Sequence, residues 1–168
     1  MLALGLAGLL GAAVSTPPDA PLAALEFLAG HCWRAAPADG NSTDTHCFAR
    51  LYPPHFLRDS HVVCAGGKRV YAGETTYWPT PDGKTVAWRY LSSAGLVMDG
   101  RLEPASDALR FSGTYVDADG THEVRATWTP GKNSYRALTE ARQPDGSWRP
   151  QSDAEFVRVD GAGACAAG

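Results

Sequence analysis

Long apolar runs, clustered basic residues and helical periodicity are all scarce in this chain of 168 residues. No apolar run reaches the roughly 18 residues that a transmembrane helix needs. The net charge is -3, and the basic residues are scattered, whereas a nucleic-acid partner would require a basic stripe. We therefore expect no transmembrane segment in the mature chain and no nucleic-acid partner.

Motifs for nucleophilic catalysis are missing as well, since the chain has no Gly-x-Ser-x-Gly elbow. Asp59, Ser60 and His61 are adjacent, but successive residues of a strand face opposite ways, so adjacency does not make a triad. The glutamates of the predicted strands are expected on solvated faces: Glu74, Glu103, Glu140 and Glu155. We predict no catalytic residue and favour a binding protein over an enzyme.

The amino terminus is predicted to be a signal peptide over residues 1–15. Leu2 to Val14 is uncharged and apolar, too short to span a bilayer and of the right length for the central part of a signal. Ala13-Val14-Ser15 offers small residues for cleavage, although no Lys or Arg precedes the apolar run. A disordered apolar tail is the alternative. We expect an exported, periplasmic or secreted protein with a linker at 16–21.

Four cysteines follow this segment: Cys32, Cys47, Cys64 and Cys165. An even number in an exported chain favours disulfides, and four cysteines allow three pairings. We favour Cys32–Cys47, which would join neighbouring strands, and Cys64–Cys165, which would fasten the tail at 161–168. One bridge with two free thiols is the alternative.

The dipeptide His-Cys occurs twice, at His31-Cys32 and His46-Cys47, and His55 and His61 follow. This spacing matches no common zinc finger or ribbon, and neighbouring residues of a strand face opposite sides. We therefore predict disulfides with surface histidines, no metal site and no cofactor.

Turn signals recur at nearly even spacing through the rest of the chain, roughly 11 to 16 residues apart, which is about one strand plus one tight turn. This rhythm predicts an all-β fold, a single antiparallel up-and-down β-barrel of about ten strands over residues 22–160. The signals are Gly66-Gly67, Asp82-Gly83, Ala94-Gly95, Ala105-Ser106-Asp107, Asp119-Gly120, Pro130-Gly131 and Asp145-Gly146.

The predicted strands cover 31–35, 45–52, 56–65, 69–78, 85–91, 96–102, 109–116, 122–128, 134–141 and 154–159. The only helical window is Asp19 to Gly30, where Pro21 suits a first turn and Gly30 a left-handed end. Its apolar face predicts a short helix that covers one end of the barrel.

Alternation along the strands assigns the aromatic residues to the interior, because their neighbours are charged or hydroxylated. We predict that six of them bind a small apolar or amphipathic molecule: Trp78, Trp88, Tyr90, Phe111, Tyr115 and Trp128. An enzyme that uses a polar pair in the same cavity, and a solid-cored structural or envelope-interaction domain, are the alternatives. The protein is expected to be a monomer or a homodimer.

The stretch Leu25 to Arg34, LEFLAGHCWR, resembles the opening of a lipocalin-like (calycin) barrel. It is similar to a bacterial family of lipocalin-like domains of unknown function, whose members begin FLxGxW. Here the step from Gly30 to Trp33 is one residue longer. The resemblance extends over about residues 22 to 159. Further segments similar to the family are Tyr77-Trp78-Pro79, Phe111 to Tyr115, Tyr135, Glu140, Pro144-Asp145-Gly146 and Phe156 to Val159.

The resemblance implies a structural pair in which an arginine of the last strand, Arg158, stacks on Trp33 of the first strand and closes one barrel end. A haem-binding branch of similar barrels uses a late histidine as its iron ligand. Because no histidine follows His122, we expect no haem.

Overall fold

Ten antiparallel strands close into one up-and-down barrel in the computed structural model, which describes residues 21–36, 40–163 and 165. Each strand pairs with its neighbours along the chain, and the last pairs with the first. The predicted fold class is confirmed, whereas the predicted signal peptide and most of the linker lie outside the described residues. The strands are β1 Cys32–Ala35, β2 Ser42–Leu51, β3 Phe56–Ala65, β4 Lys68–Pro79, β5 Val86–Ser92, β6 Val97–Pro104, β7 Leu109–Asp117, β8 Gly120–Pro130, β9 Ser134–Arg142 and β10 Trp148–Val159.

The strand that departs most from its prediction is β10, which begins at Trp148 and not at residue 154. Pro150 does not break the strand, because the register of the β9–β10 ladder shifts between Pro150 and Ser152. The shift is a β-bulge, which interrupts the ladder of hydrogen bonds, so a proline without a backbone N–H can be accommodated there.

Asp19 and Ala20, the start of the predicted helix, lie outside the described residues, and from Pro21 to Gly30 the prediction is wrong in type. The chain forms a 3₁₀ helix over Leu22–Leu25 and continues in turns to Gly30. Leu22, Leu25 and Leu28 are spaced by three, which matches the three residues per turn of a 3₁₀ helix, and all three are buried. No helix among the described residues is long and apolar enough to cross a bilayer.

We call the end of the barrel beneath this 3₁₀ helix the capped end, and the opposite end the far end. The Gly30 N–H donates to the Phe48 carbonyl, which fastens the cap to β2. Most of the apolar core lies at the capped end, and its fully buried members there are Leu25, Leu28, Leu57, Val86, Leu102 and Tyr135. The packing role predicted for this segment is therefore confirmed.

Two disulfides stand on the outer surface, and they are the pairing that the sequence favours. Cys32 and Cys47 face each other in the β1–β2 ladder, with Cα atoms 4.1 Å apart. Cys64 on β3 bonds Cys165, with Cα atoms 5.7 Å apart.

The second bridge fastens residues 160–163 and Cys165, here called the C-terminal strap, across the outside of β1 and β2. Arg34 lies beneath the strap and donates to the Ala162 carbonyl at 3.1 Å and to Thr45 Oγ1 at 3.1 Å. Thr45 has an odd number and therefore lies on the outer face of β2, whose inward positions are even-numbered. It is nevertheless buried, because Arg34 and the strap cover it.

Candidate functional site

An apolar cavity of about 140 Å³ lies inside the barrel, between the capped-end core and the far end. Buried aromatic rings form its wall toward the capped end, and the rest of the lining includes the half-buried Met98 and Val124 and the exposed Arg125. The lining residues are Thr75, Tyr77, Trp88, Tyr90, Met98, Phe111, Val124, Arg125, Ala126, Trp128 and Thr139.

Four of the six aromatic residues predicted as ligand-binding line this cavity: Trp88, Tyr90, Phe111 and Trp128. The rings of Phe111 and Trp128 are in contact, with centroids 4.5 Å apart. Trp88 lies against the paired glycines Gly100 and Gly113, and a Cβ added at Gly113 would come 2.5 Å from the indole. The missing side chains of β6 and β7 therefore make room for this large ring.

The placement of Trp78 in the interior is wrong. On β4 the inward positions are Thr75 and Tyr77, both buried, so Trp78 falls on the outer face, where it pairs with Ala87. Tyr77 takes the predicted place in the cavity wall.

Tyr115 faces inward but does not line the cavity. It lies near the far end of β7, where its ring stacks on His122 with centroids 4.7 Å apart.

The stacking of Arg158 on Trp33 is also wrong. The two residues are opposite each other in the β1–β10 ladder, but Arg158 is exposed. Within the described part of the chain, cation–π contacts form only over Trp148. Trp33 is covered instead by the rings of Phe27 and Tyr135, with centroids 6.0 and 5.4 Å away.

A polar cluster lies beside the cavity, on the inner faces of β2 and β3. It consists of Asp44, His46, Asp59 and His61, and its centre is the His46–His61 pair of the β2–β3 ladder. Their rings stand 4.5 Å apart, and both are largely shielded from solvent, with side chains 13% and 11% exposed. The expectation of surface histidines is therefore wrong for these two residues, and it fails because even-numbered positions of β2 face inward.

Hydrogen bonds connect this cluster to the cavity wall. His46 Nδ1 lies 2.7 Å from Asp59 Oδ2, and His61 Nδ1 lies 3.2 Å from Asp44 Oδ1. On its other side, His61 Nε2 lies 2.9 Å from the Tyr90 hydroxyl, which donates to the Tyr71 hydroxyl at 2.7 Å. The contact of His61 with Tyr90 requires Gly73, because a Cβ there would come 2.5 Å from His61 Nε2.

The charges of the cluster shift its pKa values strongly. Burial alone would lower the pKa of His46, but the charge of Asp59 and hydrogen bonds to Asp44 and Asp59 outweigh burial and raise the pKa to about 10. Burial would likewise raise the pKa of Asp44, but hydrogen bonds with His46 and His61 hold it well below its ordinary value. Without any bound ion, His46 is thus a cation at neutral pH, held between two carboxylates.

Burial, with the hydrogen bond to Tyr71, raises the pKa of Tyr90 well above its ordinary value. Tyr90 therefore stays neutral, and its hydroxyl, which donates to Tyr71, lies within hydrogen-bond distance of His61.

Sequence reasoning missed this cluster because the faces of β2 and β3 were not assigned from alternation. Alternation along β2 could have predicted the cluster, because Asp44, His46 and the apolar Phe48 fall on the same face, and Phe48 is buried. The predicted disulfide supports the same assignment, since an outward Cys47 requires an inward His46. No protein-family model and no curated protein matches the chain, so these comparisons assign it no family.

Proposed function

We propose that this chain is an exported lipocalin-like protein that binds a small amphipathic molecule, about the size of one aromatic ring, inside its barrel. The observation that carries the proposal is the apolar cavity of about 140 Å³ walled by Trp88, Phe111 and Trp128. Three aromatic rings around one cavity supply the apolar and stacking surface that small-molecule sites use.

The volume supports a small ligand. An apolar cavity of about 150 Å³ accepts a benzene molecule. A single ring with a short substituent therefore fits, whereas a long acyl chain or a polycyclic pigment requires a larger space.

The polar groups support an amphipathic ligand over a hydrocarbon. Thr75 and Thr139 on the lining carry hydroxyl groups. A hydroxyl or carboxylate on the ligand is the group that these two side chains would recognise.

Export is supported by the two disulfides, which join all four cysteines of the chain. Such bonds form and persist in oxidising compartments such as the periplasm or the extracellular space. Membership of the lipocalin-like family is supported by the ten-stranded closed barrel that follows the LEFLAGHCWR stretch.

Binding can be tested by titrating the protein with phenol, indole and benzoate while following tryptophan fluorescence. We expect saturable quenching, because Trp88 and Trp128 line the cavity. Ala126→Leu adds bulk inside the cavity and should weaken binding at least about tenfold, since overpacking removes the space that the ring needs. Ala87→Leu is the matched control: it makes the same change on the outer face of β5, whose inward residues are Val86, Trp88 and Tyr90.

Two results would contradict the proposal. One is the absence of saturable quenching with any single-ring compound. The other is an equal loss of affinity in the Ala126→Leu and Ala87→Leu variants, which would place the ligand outside the barrel.

A further inference from the structure

The side chains of Asp44, His46 and His61 converge on one point at the inner wall of β2 and β3. The atoms that could ligate a metal, one from each residue, lie within 4.8 Å of one another. Asp44 Oδ2 is 3.4 Å from His46 Nε2, and Asp44 Oδ1 is 3.2 Å from His61 Nδ1. Two ligands that each stand about 2.1 Å from a tetrahedral zinc ion are about 3.4 Å apart. The two contacts use different oxygens of Asp44, so the binding of one ion requires only a small shift of its carboxylate.

Each imidazole keeps its other nitrogen for a supporting partner. His46 Nδ1–H donates to Asp59, which leaves Nε2 to face Asp44. The Tyr90 hydroxyl donates to Tyr71, so it accepts from His61 Nε2–H and leaves His61 Nδ1 to face Asp44. Metal-binding histidines are oriented in this way, by a carboxylate or another oxygen on the far nitrogen.

Asp59 holds His46 from the side away from Asp44. Its side chain is 3% exposed, and its Oδ2 lies 2.7 Å from His46 Nδ1. A buried carboxylate on the far nitrogen orients a metal-binding histidine and makes the ring a better ligand.

We propose that Asp44, His46 and His61 bind a first-row divalent cation, best matched by Zn²⁺, with Asp59 and Tyr90 as the supporting partners. Two imidazoles and one carboxylate are donors that suit zinc. Three protein ligands leave a coordination position for water or a small molecule. The side chain of Asp44 is 29% exposed, which gives the ion a path from solvent, and no cysteine is free to compete for it.

The test is zinc binding by the full chain, stripped with EDTA and measured by equilibrium dialysis and elemental analysis. We expect one Zn²⁺ per chain. Asp44→Asn and His61→Gln should each weaken zinc affinity at least about tenfold, and Asp59→Asn by about 10–100-fold, as for other outer partners of metal-bound histidines. His122→Gln is the matched control, because His122 also contacts an aspartate, Asp117, at 2.8 Å, but at the exposed end of β8.

The proposal is overturned if the parent protein takes up no zinc, if Asp44→Asn and His61→Gln bind zinc as the parent does, or if His122→Gln loses it. Should the cluster variants fail to fold, crystals of the parent grown with ZnCl₂ decide the matter. An anomalous peak between His46, His61 and Asp44 supports the site, and a peak elsewhere or none at all overturns it.

Discussion

Trp33 is a single residue on which three parts of the capped end meet. Its indole is 3% exposed and packs edge-on against Phe27 from the cap and Tyr135 from β9. Tyr135 in turn stacks on Phe156 of β10, with centroids 4.9 Å apart. The side chain thus joins the cap to the seam where the last strand closes the barrel.

Trp33→Ala should therefore lower the free energy of unfolding by about 3–5 kcal/mol, the usual cost of removing a large buried aromatic side chain. Trp78→Ala is the matched control, and its loss should be clearly smaller because Trp78 is half-buried on the outer face. Urea unfolding followed by far-UV circular dichroism measures both. Equal losses would contradict the role of Trp33 at the closure.

His46 makes stability depend on pH in the metal-free protein. Its pKa rises from 6.5 to about 10 on folding, so the stabilisation is fully present below pH 6.5 and is lost as the pH rises toward 10. Asp44 has a lowered pKa, so its contribution is present above its ordinary pKa of 3.8 and is lost as the pH falls below that value. We therefore expect the free energy of unfolding to be highest between pH 3.8 and pH 6.5, where both contributions are present.

The measurement is the urea midpoint in EDTA from about pH 6 to about pH 9.5. The midpoint should fall with rising pH in the parent and fall less steeply in His46→Gln. The control His122→Gln leaves the cluster intact and should keep the slope of the parent. A parent midpoint that is flat or rises over this range would contradict the assignment.

Single residues also mark where sequence reasoning works. Alternation placed Trp88, Tyr90, Phe111 and Trp128 correctly, because most of the residues next to them in their strands are polar or charged. It failed for Trp78, whose neighbour Tyr77 is equally apolar, so hydrophobicity alone does not decide which of the two faces inward.

At the scale of elements, the C-terminal strap is the segment that behaves least like the rest of the barrel. It forms no strand and is attached through Arg34, Ala162 and the Cys64–Cys165 bond. Its bridge spans 101 residues, whereas Cys32–Cys47 spans 15. In the chain-entropy account, a longer loop restricts the unfolded chain more strongly.

Replacing both cysteines of a bridge by serine should therefore cost more for Cys64–Cys165 than for Cys32–Cys47. The expected losses are about 4–5 and about 3 kcal/mol in that account. Urea unfolding of the two double variants under non-reducing conditions measures them. The reverse order would show that the strap is dispensable and that the β1–β2 ladder depends on its own bridge.

Most of the strands could be predicted from the sequence, because the tight turns between them need particular residues such as glycine and aspartate. Gly66-Gly67 and Asp119-Gly120 stand at the β3–β4 and β7–β8 turns, and the strands between such signals follow at nearly the predicted bounds. The 3₁₀ helix at Leu22–Leu25 was not readable, because three-residue spacing of leucines fits an α-helix almost as well.

At the scale of the whole molecule, closure by β1 and β10 leaves the sheet without an edge strand. The turn rhythm predicts this barrel, but it cannot predict the polar cluster. The register of the β2–β3 ladder places Asp44 and Asp59 on either side of the His46–His61 pair. A one-residue slip of either strand would turn the carboxylate of that strand to the outer face.

The Cys64–Cys165 bond has a further consequence, since it makes residues 64–165 a closed covalent loop that contains seven of the ten strands. A protease site inserted in the β7–β8 turn at 118–119 lies within this loop, so the two pieces should separate on a denaturing gel only after reduction. The same site in the β2–β3 turn at 52–55 lies outside it, and Cys32–Cys47 is confined to the amino-terminal piece. That cut should therefore release a fragment without reductant. A cut within most of the barrel wall thus opens the loop without detaching a fragment, which suits a protein that is proposed to be exported.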